Sequence, residues 1–169
     1  MQSRDRLKKL YEQVYSHPRV ASAIRAIGFG SVWFVIAGFT TVGVSLILDG
    51  RYFEWLNLIV VAAIPFAVVS IVRMFFNFER PYEVIDLEAF NYMKEERKPG
   101  RSFPSRHVFS AFLIGVLILK YSAFLGTLTL CIGLLLGACR VALGIHFPKD
   151  VIAGEIIGIV SGVVGLLIL

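Results

Sequence analysis

Cysteine is scarce in this sequence, and the two that occur exclude more than they offer. Cys131 and Cys139 stand eight residues apart within one apolar run, more than two helical turns and beyond disulfide reach. Neither C-x-x-C nor H-E-x-x-H spacing occurs anywhere, so no metal-binding cluster is expected and no cofactor is implied. Internal repeats and low-complexity tracts are also lacking. The first 27 residues have neither the early apolar core nor the small-residue cleavage site of a signal peptide. The first apolar run itself is therefore expected to direct insertion.

What abounds is apolar surface. Hydrophobic residues make up 57% of the chain and the mean hydropathy is +0.75, far above the norm for a globular domain. A spanning helix needs roughly 20 mostly apolar residues, fewer where neighbours shelter its ends. Five stretches qualify, at about 28–48, 55–72, 105–119, 124–143 and 151–169. The expected fold class is all-α: a polytopic membrane helix bundle of about five transmembrane helices with an N-terminal amphipathic helix. Residues 1–27 read as a basic amphipathic interfacial segment and 28–169 as the membrane-embedded domain.

The net charge of +5 matters less than its placement. If the passes before Arg73 are single helices, the N-terminus, the 73–107 segment and the 140–150 segment share one side. That side then holds every Lys and Arg except Arg51 and Lys120, which by the positive-inside rule makes it cytoplasmic. The membrane is expected to be a cell membrane, and the compact size suggests a bacterial one.

Residues 4–15, "RDRLKKLYEQVY", set Leu7, Leu10, Tyr11 and Val14 at helical spacing among basic residues. This suits a helix lying on an anionic membrane surface, with a solvated helix as the plainer alternative. His17-Pro18 then breaks the chain before the next helix, and His17 is assigned no function. The polar segment 82–103 carries Val84, Ile85, Leu87, Phe90 and Met93. It reads as a surface loop or as a short amphipathic helix over a site, its length favouring a lid. Gly154, Gly158 and Gly162, with Ser161 and Gly165, form a small-residue stripe on the last helix. Such a stripe serves close packing within the bundle, with homodimerisation as the alternative.

Charged groups at membrane depth are costly, so each is expected to face a cavity or a partner. Arg73 ends the second run, Arg80-Pro81 follows, Ser105-Arg106-His107 opens the third, and Arg140, His146 and Asp150 bracket the passage from the fourth to the fifth. All fall on one membrane face. Arg73, Arg80 and Arg140 suit a three-cation cage, because guanidinium matches phosphate oxygens bidentately. Ser105 at a helix start adds a hydroxyl and exposed amides that favour an anion. One histidine of such a pair can attack phosphorus while the other protonates the departing oxygen. Asp150, four residues after His146, can orient the imidazole.

The pattern Arg73-x6-Arg80-Pro81, then Pro104-Ser105-Arg106-His107, then Arg140-x5-His146-x3-Asp150 resembles the three signature motifs of the type 2 phosphatidic acid phosphatases, or lipid phosphate phosphatases. Order and internal spacings match, over about half the chain. The resemblance implies a metal-independent phosphomonoesterase or diphosphatase. In it His146 is the nucleophile that forms a phosphohistidine, Asp150 its orienter and His107 the general acid. Arg73, Arg80, Ser105, Arg106 and Arg140 hold the phosphate oxygens. The implied partners are the bilayer and a lipid phosphate: phosphatidate, phosphatidylglycerophosphate, or a polyprenyl phosphate or diphosphate such as undecaprenyl diphosphate. No nucleic-acid partner is expected.

Four departures from the family pattern stand out. Arg73 replaces the usual lysine, Cys139 the usual serine, and Arg106 the usual glycine. Arg106 either adds charge for a diphosphate or turns its side chain to interfacial lipid. The family commonly has six spanning helices, three before the first motif, where this chain shows two. Vanadium haloperoxidases share a similar cage but resemble large soluble proteins, against which the five apolar runs argue. A transporter or scaffold is the non-enzymatic alternative; both histidines and the aspartate would then have no evident use.

Overall fold

A computed structural model describes residues 2–91 and 100–169. Seven α-helices run in chain order among them: α1 (Gln2–Tyr15), α2 (Pro18–Leu48), α3 (Tyr52–Phe75), α4 (Pro81–Val84), α5 (Arg106–Leu119), α6 (Ala123–Ala142) and α7 (Pro148–Ile168). A 3-10 turn at Glu88–Phe90 lies between α4 and α5. Helices α2, α3, α6 and α7 are long and apolar enough to cross a membrane, and α5 is a shorter apolar helix. Large side chains such as Phe29, Leu48, Phe53, Phe75 and Leu167 stand exposed on the bundle, a surface that only lipid covers favourably. The chain is a multi-pass membrane protein.

Helix α2 begins ten residues before the apolar run anticipated for it and passes unbroken through residue 27. Pro18 explains the early start: at the first helical position its missing N–H costs nothing and its fixed φ suits the turn. The polar residues Arg19 and Arg25 thus belong to the same helix as the spanning segment.

Helix α5 is only 14 residues long, about 21 Å at 1.5 Å per residue. It is the hub of the bundle, buried at most positions from Val108 to Ile118 by α6 and α7. Its closest neighbour is the small-residue stripe of α7. A Cβ added at Gly154 would lie 2.7 Å from the Ser105 carbonyl oxygen, and one at Gly158 would lie 2.6 Å from that of Phe109. At Gly162 it would meet the Val116 side chain at 2.6 Å. The stripe is therefore occupied inside the bundle.

Within the apolar stripe of α1, Leu7, Tyr11 and Val14 are sheltered by protein while Leu10 stands exposed, a burial that neither a lipid-lying nor a solvated helix anticipates. Tyr11 is fully buried and Val14 nearly so. Tyr11 clusters with Tyr82, Ile85 and Phe90 and with Leu143 and Ile145 of the α6–α7 loop, and Leu7 and Tyr15 pack against the same cluster. The Tyr15 hydroxyl donates to the Leu143 carbonyl at 3.1 Å. Gly144 turns that loop at φ +67°, and a Cβ there would lie 2.5 Å from the Phe90 ring, so a side chain is excluded twice over.

The described part of segment 82–103 is not one amphipathic helix. It is α4, the 3-10 turn and a returning strand of loop. Tyr82 N–H donates to the Gly144 carbonyl at 3.3 Å, and Gly100 N–H to Glu83 Oε1 at 2.6 Å. Ile85 and Phe90 point into the cluster beneath; Met93 lies outside the described residues. Helix α1, this segment and the α6–α7 loop share one end of the bundle. The opposite end holds the Arg51–Glu54 ion pair at 2.6 Å and Lys120, which donates to the Leu169 carbonyl at 2.7 Å.

Candidate active site

Three stretches of chain converge at the end of the bundle that α1 covers: the exit of α3 with the 76–81 turn, the 100–107 approach to α5, and the α6–α7 loop. Backbone bonds tie them together. Ser105 N–H donates to the Asp150 carbonyl at 2.9 Å and Ser102 N–H to that of Phe78 at 2.9 Å. The first of these works because the glycines of α7 let α5 approach at backbone distance.

Arg73 is buried at 5% exposure. Its guanidinium donates to the carbonyls of Arg101, Ser102 and Pro104. It therefore faces the 101–104 loop rather than open space, and clamps it. Arg80 donates to the Gly100 carbonyl at 3.1 Å through Nε and to that of Ile145 at 3.4 Å through Nη1, bridging two of the three stretches. Its own N–H donates to the Glu83 carboxylate. Arg140 closes α6, and Arg106 stands exposed at the start of α5. Arg73 and His107 both lie in the field of Arg106, and His107 also in that of Arg140, His146 and Arg73.

Ser105 occupies the N-cap position of α5 but makes no capping bond. Its hydroxyl is fully buried without a hydrogen-bond partner. Buried polar atoms are rarely left so, and this one stands at the first turn of α5, whose leading amides have no carbonyl partner within the helix. His107 is solvent-accessible, and His146 is 3% exposed in the α6–α7 loop. Burial is the largest influence on the His146 imidazole and draws its pKa below the ordinary histidine value, with Asp150 opposing.

Asp150 is completely buried. Its Oδ2 lies 3.8 Å from His146 Nδ1, an ion-pair distance but too long for a hydrogen bond. That oxygen is engaged elsewhere, while Oδ1 is buried without a partner among the described residues. Oδ2 accepts from Ser102 Oγ at 2.5 Å and from Phe147 N–H at 3.0 Å. Ser102 and Glu83 are the contributors that motif reading passed over. Ser102 lies three residues before Ser105 in the same "RSFPSRH" stretch, and that proximity was the available signal. Glu83 gave no such signal.

From the face of α5 that bears Arg106, His107 and Ser110, an apolar groove of about 510 Å³ runs between α2 and α3. Val35, Ile36 and Phe39 wall one side and Ala62, Ala63 and Phe66 the other. Small residues at 62 and 63 leave the space open. Nearer the opposite end the two helices close up, where a Cβ on Gly43 would sit 3.4 Å from the Trp55 ring. The lining extends from Arg106 to Ile114 of α5, about 12 Å along the helix.

The profile of the PAP2 superfamily matches residues 54–169, more than half of the chain. The chain belongs to the PAP2 superfamily. Among solved structures, this PAP2 chain resembles Aquifex aeolicus LpxE, with a TM-score of 0.66 and 25% identity over 94% of this chain and 93% of that one. It shares the fold of the first transmembrane PAP2 type phosphatidylglycerolphosphate phosphatase from Bacillus subtilis. There the TM-score is 0.70 at 18% identity, over 99% and 86% of the two chains. It is also 38% identical over 66 residues to the bacitracin transport permease protein BcrC of Bacillus licheniformis. That match spans 39% of this chain and about a third, 32%, of the relative's length.

Proposed function

We propose that this PAP2 chain is an integral-membrane, metal-independent phosphatase that hydrolyses a lipid phosphate or diphosphate through a phosphohistidine at His146. The observation that carries the reading is the junction of two unlike features. A cluster of cations, two histidines and a buried carboxylate stands at the mouth of an apolar groove within the spanning helices.

In this mechanism the phosphate rests among Arg80, Arg106 and Arg140, on the Ser105 hydroxyl and on the first amides of α5. Arg73 adds its charge from behind the loop it clamps. The lone pair of His146 Nε2 forms a bond to phosphorus as the bond from phosphorus to the lipid oxygen breaks. His107, which takes up a proton once the bound phosphate offsets the surrounding cations, gives it to that oxygen, so the lipid leaves as a neutral alcohol or, from a diphosphate, as the monophosphate. Neutral His107 then takes a proton from water, the hydroxide oxygen bonds to phosphorus, and the phosphate leaves His146. The fixed cations meet the charge on the equatorial oxygens without reorganising, the usual dominant contribution in such transfers. Side chains supply nucleophile, acid and counter-charge, which is why no metal is required. The lipid tail lies in the groove between α2 and α3.

A transport role, suggested by the name of the Bacillus licheniformis relative, needs polar groups along a path across the bilayer. The cationic cluster lies at one end, and the groove leading from it is apolar. The excess of Lys and Arg at the site's end supports a cytoplasmic orientation in this reading.

The test is phosphate release by purified protein in detergent with a chelator present, comparing phosphatidylglycerophosphate, phosphatidate and undecaprenyl diphosphate. Release that survives chelation and disappears in His146→Ala is the expected result. Release abolished by the chelator, or retained by His146→Ala, contradicts the mechanism.

A further inference from the structure

Ser102 belongs to none of the three motifs, yet it sits where His146 and Asp150 meet. It is fully buried. Its N–H donates to Phe78 at 2.9 Å and its carbonyl accepts from Arg73, so its backbone is held from both sides. A serine hydroxyl has one proton to give and two lone pairs to receive. Ionised Asp150 can only accept, and its Oδ2 is 2.5 Å from Ser102 Oγ. The proton is therefore committed to Asp150. His146 Nδ1 lies 3.4 Å from the same Oγ, where only a lone pair remains to face it. An imidazole nitrogen in that position must carry the hydrogen.

We infer that Ser102 is a positioning residue that relays the Asp150 carboxylate to His146 and fixes the imidazole with its hydrogen on Nδ1, leaving Nε2 bare for bond formation. The inference rests on the reading of His146 as the nucleophile. When Nε2 bonds to phosphorus the ring becomes cationic and Nδ1 keeps its hydrogen. No proton crosses the relay. The carboxylate answers the new positive charge through the hydroxyl, and the long 3.4 Å contact is of the kind that tightens as charge develops. The direct Asp150–His146 bond foreseen from the sequence is thus replaced by a hydroxyl bridge, whose extra reach matches the 3.8 Å separation.

The test reads the tautomer as well as the rate. The chain has three histidines, so ¹⁵N-histidine spectra of the purified protein in detergent are simple, and His146→Ala identifies the resonance that matters. The wild type is expected to show His146 with hydrogen on Nδ1. Ser102→Ala is expected to show mixed tautomers and a kcat for phosphate release lower by about ten- to a hundredfold, the cost of a misplaced reacting group. KM should move little. Ser102→Thr, which keeps the hydroxyl, should restore the Nδ1–H signature and most of the rate. An unchanged Nδ1–H signature in Ser102→Ala, or a kcat within about twofold of wild type, overturns the relay. Should Ser102→Ala fail to fold, Ser102→Cys carries the same test, since a thiol is a weak donor of nearly the same size; a wild-type kcat there overturns it equally. His146→Ala separates the two claims. If it is inactive while Ser102→Ala is fully active, only the relay falls, whereas release surviving in His146→Ala removes the nucleophile and the relay together.

Discussion

The two sides of α5 are built on opposite principles. Toward α7 the contact is as close as backbones allow, with glycine at 154, 158 and 162 and no room for a methyl group. Toward α2 and α3 there is a groove of about 510 Å³ with Ala62 and Ala63 in one wall. The tight side carries the Ser105–Asp150 backbone bond and with it the register between the two halves of the site. The open side offers apolar room beside His107. Rigidity is placed where groups must be held in register, and slack where a lipid tail of variable shape is to be admitted.

Perturbing the tight side should give the largest effects. Asp150→Asn is expected to lower kcat by about a thousandfold or more, as loss of an imidazole orienter does elsewhere, while the protein still inserts and elutes as wild type. A loss under tenfold in a phosphate-release assay would mean that His146 needs no carboxylate. Gly158→Val forces a branched side chain against the Phe109 carbonyl. Overpacking of this kind costs about 1–3 kcal/mol or more, so its thermal midpoint in detergent should fall, and an unchanged midpoint would show that α5 and α7 do not sit this close.

Milder changes belong to the mouth of the groove and to pH. Arg106→Gly should shift preference from diphosphate toward monophosphate lipids by about two- to fivefold, the scale of an exposed charge. An unchanged ratio assigns the Arg106 side chain to lipid instead. The pH profile should reflect the buried imidazole. A lowered pKa keeps His146 neutral, and so nucleophilic, to lower pH than a free histidine. The acid limb of kcat/KM, which reports the free enzyme, should therefore lie below about pH 6.5. A limb above that value would show that the arginine field and burial are overcome.

Much of this was legible in the sequence, because membrane insertion and phosphate chemistry both leave strong signals. Apolar runs announce spanning helices, and arginines next to them require an explanation. The spacing of Gly154, Gly158 and Gly162 announced a close helix contact, and the structure shows that contact to be with α5 inside the bundle. What escaped depends on contacts between distant parts of the chain. Nothing local says that Tyr11 faces Phe90 and Leu143 rather than lipid. Nothing local says that Arg73 turns toward the 101–104 carbonyls, or that Glu83 holds both Arg80 and Gly100. Ser102 was overlooked because an unremarkable serine acquires its role only from His146 and Asp150, brought beside it by the fold. The early start of α2 escaped for a different reason: Arg19, Ser22 and Arg25 interrupt the apolar residues of its first turns.

The contrast between the two sides of α5 is tested most directly by a chain-length series of alkyl phosphates on wild type and on Ala62→Trp, which fills the groove and leaves the charged cluster alone. In the wild type kcat/KM should rise with chain length. In Ala62→Trp the long-chain values should fall about tenfold, the scale of a few lost methylene contacts, while the shortest substrate reacts as before. A wild-type profile flat with chain length, or a variant that keeps the same slope, would contradict the groove as the seat of the lipid tail.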